Sequence, residues 1–276
     1  MFEKTAGYRI FFWMSLVVIG IFVFFPLYWL VNTSFKNASE IFELTFIPSA
    51  PTIQNYVNVI TDGTLLTYLK NSLFVAGVSA VLTTFVSAYA AYSFSKFRYR
   101  GRKSLMILFI LSKVFPYAVL LLTIYLIMKN FGILDSYLSL ILAFVTFTLP
   151  VGTWTLKAFF DQIPNSLIES AKIDGASQFK IIHKVIFPIT VPGLVATALY
   201  GFVWAWNDLL YSLTLITSPE KRTLAPGLIM NYMGEFQSNW GNMMAASIVA
   251  SIPVTIMFVL LQKYFVQGLT SGAVKG

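Results

Sequence analysis

Six side chains that could meet water crowd one stretch of an oily chain: Glu169, Lys172, Asp174, Lys180, His183 and Lys184, within "ESAKIDGASQFKIIHKVIFP". They do not assemble into a catalytic set. His183 is the only histidine and there is no cysteine. That excludes disulfides and thiol catalysis, and it argues against a zinc site, which draws on Cys and His ligands. No nucleophile, base and orienting group can be combined, so the chain reads as a non-enzyme, with no cofactor of its own. No GxxxxGK[ST] occurs, so ATP binding would have to come from another chain.

Two further sets of residues carry polar chemistry inside apolar runs. Lys113 lies in "LFILSKVFPYAVLLL". A lysine at the centre of a membrane span costs at least about 2.5 kcal/mol. Two readings stand: Lys113 faces a water-filled vestibule on a substrate path, or it snorkels to the interface. Asn207 and Asp208 follow "GFVWAW". With Tyr211 they would offer hydrogen bonds to a polar ligand on a substrate path, and Trp204 or Trp206 could stack on a ring face. Anchoring at the membrane interface is the competing role, because Trp is enriched there.

These residues must be held by membrane helices. Of 276 residues, 57% are hydrophobic and 11% charged, and the mean hydropathy is +0.75. A soluble domain is about 45–50% apolar and about 25% charged. No Asp, Glu, Lys or Arg occurs between Arg9 and Lys36, Lys70 and Lys96, Asp135 and Lys157, Lys184 and Asp208, or Glu235 and Lys263. A sixth run, Lys103 to Lys129, is interrupted only by Lys113. A spanning helix needs about 20 apolar residues. The runs therefore predict an all-α polytopic membrane protein of one domain, 1–276, with about six spans at 10–31, 71–94, 105–128, 138–158, 189–211 and 243–264. Continuous rather than alternating apolarity favours helices over a β-barrel. The first run is too long for a cleaved signal core and should remain as a helix.

The charge surplus of +8 alternates between loops and is not a nucleic-acid signal. With the N-terminus in the cytoplasm, cytoplasmic segments hold thirteen Lys and Arg and outer segments five, "KFRYRGRK" at 96–103 being the largest cluster. The positive-inside rule then places both termini in the cytoplasm. Residues 32–69 are expected to cross the outer face partly as a short interfacial helix. Residues 212–242, with Pro219, Pro226, Gly227, Gly234 and Gly241, read as a long outer loop. Met230, Tyr232, Met233, Phe236 and Trp240 make it too apolar for an idle connector.

The cytoplasmic loop is 159–188. Within it "PNSLIESAKIDG" predicts a short helix over 167–174, with Ser166 and Glu169 as a capping box and Gly175 as a left-handed stop. About two turns of helix are marginal alone, so this one needs a docking surface. Leu167, Ala171 and Asp174 share one side, and Ala171 permits close approach. In the following segment Phe179, Ile182, Val185 and Ile186 face one way. Passive lodging at the lipid interface is the alternative to docking.

Glu169-Ser170-Ala171, three residues, Gly175, nine residues, Val185, one residue, Phe187-Pro188 resembles the EAA loop of bacterial ABC importer permeases. That pattern reads Glu-Ala-Ala, Gly, Ile and Leu-Pro at the same spacing. "NSLFVAGVSAVLTTFVSAYAAYSFSKFRYRGRK", "WAWNDLLYSLTLI" and "GLTSGAVKG" extend the resemblance over nearly the whole chain, to the smaller permease subunit of carbohydrate importers, the maltose-permease type. The resemblance implies a type I importer fold in the cell membrane. It implies a homologous second permease, an ATPase dimer that binds ATP and Mg, and an extracytoplasmic sugar-binding protein. The cargo would be an oligosaccharide or disaccharide. Glu169, Ser170, Ala171, Asp174 and Gly175 would dock on the ATPase; Met230, Tyr232, Met233 and Phe236 would meet the binding protein. In the family the 207–208 motif reads Asn-Glu or Asn-Asp, so a shared structural role competes with sugar contact there. An ion-coupled secondary transporter is the alternative. It calls for midplane ionisable groups and internal repeats, and one internal Lys with no visible repeat supports it poorly.

Overall fold

A backbone in lipid must satisfy its own polar groups, and an uninterrupted apolar run does so as a helix. The computed structural model describes residues 6–234 and 239–273, with side chains as far as Tyr264. Four helices among them are long and apolar enough to cross a membrane: Ala6–Ser34, Thr64–Lys96, Tyr137–Asp161 and Trp240–Tyr264, the last continuing to Ala273. A fifth candidate is a bent pair, Gln178–Ile189 and Val191–Trp206, which meet at 85° around Thr190. Pro188 and Pro192 flank that bend, and each removes a backbone donor.

The continuous helix expected over 105–128 is not formed. Helix Arg102–Leu111 tightens into a 3-10 turn at Ser112–Val114, and a second helix starts only at Leu121 and runs to Asn130. Pro116 is the cause. The residue before a proline is driven out of the helical region, and Phe115 takes φ −69° and ψ 128°. The helix expected over 189–211 likewise stops at Trp206 and resumes as Leu210–Leu215.

Residues 212–242 are not an open loop either. Helix Leu224–Tyr232 lies inside them, and Trp240 begins the last long helix. Leu224, Leu228 and Tyr232 are buried at helical spacing. Pro226 hides this helix from composition, yet it sits in the first turn, where a missing N–H costs nothing.

The chain forms two compact units, one of residues up to Leu66 with Leu228–Ile252, the other of Thr67–Gly227 with residues from Pro253 on. In the first unit, helix Ala6–Ser34 is apolar on all sides and buries only Asn32, Thr33 and Ser34, which suits a helix bathed in lipid. The segment after it folds back on itself around Lys36, and the short helix Gln54–Thr61 follows. Asn55 donates to the carbonyls of Ser34 at 2.9 Å and Lys36 at 3.0 Å.

The second unit is held by small-residue contact. A Cβ on Gly152 would lie 2.6 Å from Ser87 Oγ and 2.8 Å from Thr197 Cγ2, so glycine lets helix Tyr137–Asp161 approach both neighbours. Thr83 and Thr148 share a buried hydrogen bond of 2.6 Å. Ala88, Ala91, Tyr92, Leu156 and Phe160 continue this core toward Ile168, Ile181 and Ile186.

Candidate functional site

The two helix breaks of the second unit face one cavity of about 1000 Å³. Ser112 to Tyr117 line it from the first break, Asn207 to Leu210 from the second. Tyr200, Val203 and Trp204 add the helix between the bend and the second break, and Val254, Met257 and Phe258 add the last helix. Non-helical backbone at membrane depth is tolerated where it lines a cavity rather than lipid. The breaks and the cavity thus account for each other.

Trp204 is fixed from three sides. Phe147 stacks on it at 5.6 Å, and Tyr117 and Phe144 meet it edge-on at 5.0 and 5.7 Å. The Lys113 ammonium lies 5.7 Å from its ring centre, within cation–π range. Asp208 is buried and its oxygens are engaged. One accepts from the Tyr117 hydroxyl, the other from the backbone N–H of Ser212 at 2.8 Å. The Tyr211 hydroxyl donates to the Tyr117 carbonyl at 3.0 Å, so both breaks are tied together by side chains that replace lost helix bonds.

Of the expected substrate-path residues, Lys113, Asn207 and Asp208 line the cavity. Tyr211 does not: it is fully buried and spends its hydroxyl on the backbone. Asn207 is exposed, and its amide donates to the Val203 carbonyl at 2.8 Å. Tyr117, Phe147 and Tyr200 escape notice in the sequence. Tyr117 alone had a signal, its place directly after the Pro116 break.

A second feature is the helix Asn165–Ile173. It opens two residues earlier than a Ser166 cap would allow. Pro164 holds the preceding position at φ −59° and ψ 137°, and no side chain caps the helix, so Ser166 and Glu169 form no capping box. Its end is as expected. Gly175 adopts φ +75°, its N–H reaches the Lys172 carbonyl at 3.0 Å, and the Ala176 N–H reaches the Ala171 carbonyl at 2.9 Å. That pair is a Schellman stop, and a side chain at Gly175 would be strained.

Ile168 is buried and Ala171 packs on the same core. Glu169, Ser170, Lys172 and Asp174 point outward, and Ile173 is 87% exposed. The next segment turns Ile181, Ile182 and Ile186 inward, while Phe179 is exposed rather than sharing their face. A π-helical turn at Ile182–Ile186 rotates the pattern by one residue. The loop is clamped to the end of helix Thr64–Lys96. Lys96 Nζ donates to the Ile163 carbonyl at 2.6 Å, and the Tyr92 hydroxyl donates to Gln178 Oε1 at 2.9 Å. His183 Nδ1 lies 3.0 Å from the Phe179 carbonyl and so donates to it, and Nε2 lies 3.2 Å from the Tyr89 hydroxyl.

Of the expected binding-protein contacts, Met230 is exposed, Met233 half-buried and Tyr232 buried. Phe236 lies outside the described residues.

Residues 81–271 match the family described as "Binding-protein-dependent transport system inner membrane component". Among curated proteins, the chain is 34% identical over 270 residues to the trehalose/maltose transport system permease protein MalG of Thermococcus litoralis, covering 97% of each. It is 36% identical over 254 residues to the sulfoquinovosyl glycerol transport system permease protein SmoH of Agrobacterium fabrum, covering 91% of this chain and 89% of that one. Its fold matches a chain of a bacterial ABC transporter that imports the acidic polysaccharide alginate, with a TM-score of 0.83 at 24% identity, over 96% of this chain and 100% of that chain.

Proposed function

This chain belongs to the family of inner membrane components of binding-protein-dependent transport systems, and on that premise we propose that it is the permease subunit through which an ABC importer moves a carbohydrate into the cytoplasm. Relatives named for trehalose and maltose and for sulfoquinovosyl glycerol support the cargo class. It is a multi-pass inner-membrane protein and not itself an enzyme. Its partners are an extracytoplasmic sugar-binding protein, a homologous second permease and an ATPase dimer carrying ATP and Mg. Both termini are cytoplasmic. Asn165–Ile173 docks on the ATPase, and the segment around Met230 meets the binding protein.

The observation that carries this reading is the outward face of Asn165–Ile173. Ile168 and Ala171 anchor the helix to the spans. Glu169 and Asp174, beside Ile173 at 87% exposure and Leu167 at 44%, are left for another protein. A mixed apolar and charged face on a short helix asks for a partner. Anchored on one side and docked on the other, the helix would pass motion of the ATPase to the spans through the core at Leu156, Phe160 and Ile181.

In the reconstituted transporter, sugar uptake should stop with vanadate and persist when the proton gradient is collapsed. Gly175→Val should leave insertion intact and uncouple ATP hydrolysis from uptake; Glu169→Lys should weaken ATPase binding. Uptake at the wild-type rate in both variants, or dependence on the proton gradient, would overturn the assignment.

A further inference from the structure

The aromatic cavity contains one cation without a counter-ion. Lys113 sits where Ser112–Val114 has narrowed to a 3-10 turn, before the chain is straightened by Pro116. Among the described residues its ammonium has no carboxylate within ion-pair distance and no hydrogen-bond acceptor; the Trp204 ring lies 5.7 Å away. The carboxyl group on the wall is that of Asp208. Its two oxygens accept from Tyr117 and Ser212, and no ion pair joins it to Lys113. The rest of the wall is mainly apolar or aromatic, with Phe115, Phe147 and Val203 among its members.

A half-buried ammonium in such surroundings has lost part of its hydration with no protein acceptor in its place, which is costly. A ligand can return that cost. A neutral hydroxyl returns part of it, while an anionic oxygen forms a charge-assisted bond about twice as strong. The cavity also holds what a sugar ring needs: the rigid face of Trp204 for its C–H side, and Asn207 exposed on the same wall. About 1000 Å³ is at the upper end of small-molecule sites and suits more than one sugar ring.

We propose that this cavity selects carbohydrates carrying an acidic group (a carboxylate, sulfonate or phosphate ester) and that Lys113 recognises that group while Trp204 receives the adjoining ring. The proposal rests on the permease reading above and narrows its substrate class. It places a specificity-determining residue on this subunit, behind whatever selection the binding protein makes.

The test separates charge from ring shape. The assembled transporter in nanodiscs, without binding protein, is titrated with glucose, glucuronate, glucose 6-phosphate and 6-deoxy-6-sulfoglucose, and binding is read by saturation-transfer NMR. These probes share one ring and differ at one carbon. At least one acid should bind about tenfold more tightly than glucose, a difference of about 1.4 kcal/mol. Lys113→Met should bring that acid within about twofold of glucose, Lys113→Arg should retain the preference, and Lys129→Met, which removes a charge outside the cavity wall, should leave it intact. If no acid outbinds glucose on the wild type, or if Lys113→Met keeps the preference, the proposal is wrong. A carboxylate on the second permease pairing with Lys113 would give the first of those results. The wild-type titration decides on charge preference even if a variant fails to assemble. The readout is independent of ATP-driven uptake, so failure here leaves the permease assignment standing.

Discussion

Lys36 and Lys113 are both lysines beside a tryptophan in apolar surroundings, and they are opposite cases. Lys36 is fully buried, yet its ammonium donates to the Glu43 carbonyl at 2.8 Å and lies 4.8 Å from the Trp29 ring centre. Lys113 is only half-buried, 5.7 Å from Trp204, with no acceptor. The difference comes from the local backbone. The segment after Ser34 turns back irregularly and aims a free carbonyl at Lys36. Lys113 follows a helix whose carbonyls are mostly used by the helix itself. Depth of burial therefore does not tell which cation is satisfied; its hydrogen-bond partners do.

The largest effect expected from this contrast is at Lys36. Lys36→Ala should destabilise the protein by about 2–5 kcal/mol, because a long side chain leaves a void and the Glu43 carbonyl loses its partner. Lys36→Met, which keeps the length, should cost about 1–3 kcal/mol from the orphaned carbonyl alone. Thermal unfolding in detergent reads both. A melting temperature unchanged in Lys36→Met would break the comparison at its structural end.

Lys221 supplies an intermediate case, a cation whose partner can titrate. Asp135 holds a left-handed φ of 53° and accepts from the N–H groups of Thr217 and Ser218, the Ser218 hydroxyl at 2.5 Å and Lys221 Nζ at 3.1 Å. Asp135→Ala should lower stability by about 1–3 kcal/mol, since it loses both carboxylate oxygens and strains a positive φ, while the backbone carbonyl that Lys221 also reaches at 2.8 Å is kept. Asp135→Asn should lower it less, because Asn keeps one oxygen and tolerates that backbone.

The hydrogen bonds from Ser218 hold the Asp135 carboxyl well below the usual carboxylate range. A depressed native pKa gives stabilisation that is fully present above the unfolded value of about 3.9 and is lost as the pH falls from there toward the native value. The gap in melting temperature between wild type and Asp135→Asn should therefore narrow in strong acid and stay constant near neutrality. A gap independent of pH down to that range would show that the clasp is held by something other than this charge.

The smallest expected change in stability is at Lys113. Lys113→Met removes no hydrogen bond and no ion pair, so the melting temperature should hold or rise slightly. A loss as large as that of Lys36→Met would mean that Lys113 has a structural partner, and the contrast would collapse.

The fold was legible where a property is local. Charge-free runs located the helices Ala6–Ser34, Thr64–Lys96, Tyr137–Asp161 and Trp240–Ala273 to within several residues at most ends. The Gly175 stop followed from a glycine at the end of a short periodic segment. The break in the span expected over 105–128 escapes hydropathy, which averages over Pro116, whose effect is on one φ/ψ pair. The helix Leu224–Tyr232 was missed because Pro226 looks like a breaker unless its place in the first turn is known.

By itself, the sequence determined the class of molecule: a basic, cysteine-free, all-helical membrane chain with a polar segment beside Gly175 and one costly cation at Lys113. Composition, hydropathy and backbone preference settle these without reference to distant residues. Only the tertiary structure decided which polar groups are spent. Asp208 and Tyr117 are 91 residues apart, and Tyr211 reaches the carbonyl of Tyr117 from 94 away. Sequence spacing cannot pair such groups, because the pairing depends on how two broken helices pack. That packing takes Tyr211 out of the cavity, leaves Asp208 engaged in its wall, and brings Lys113 to Trp204 with its charge unmatched.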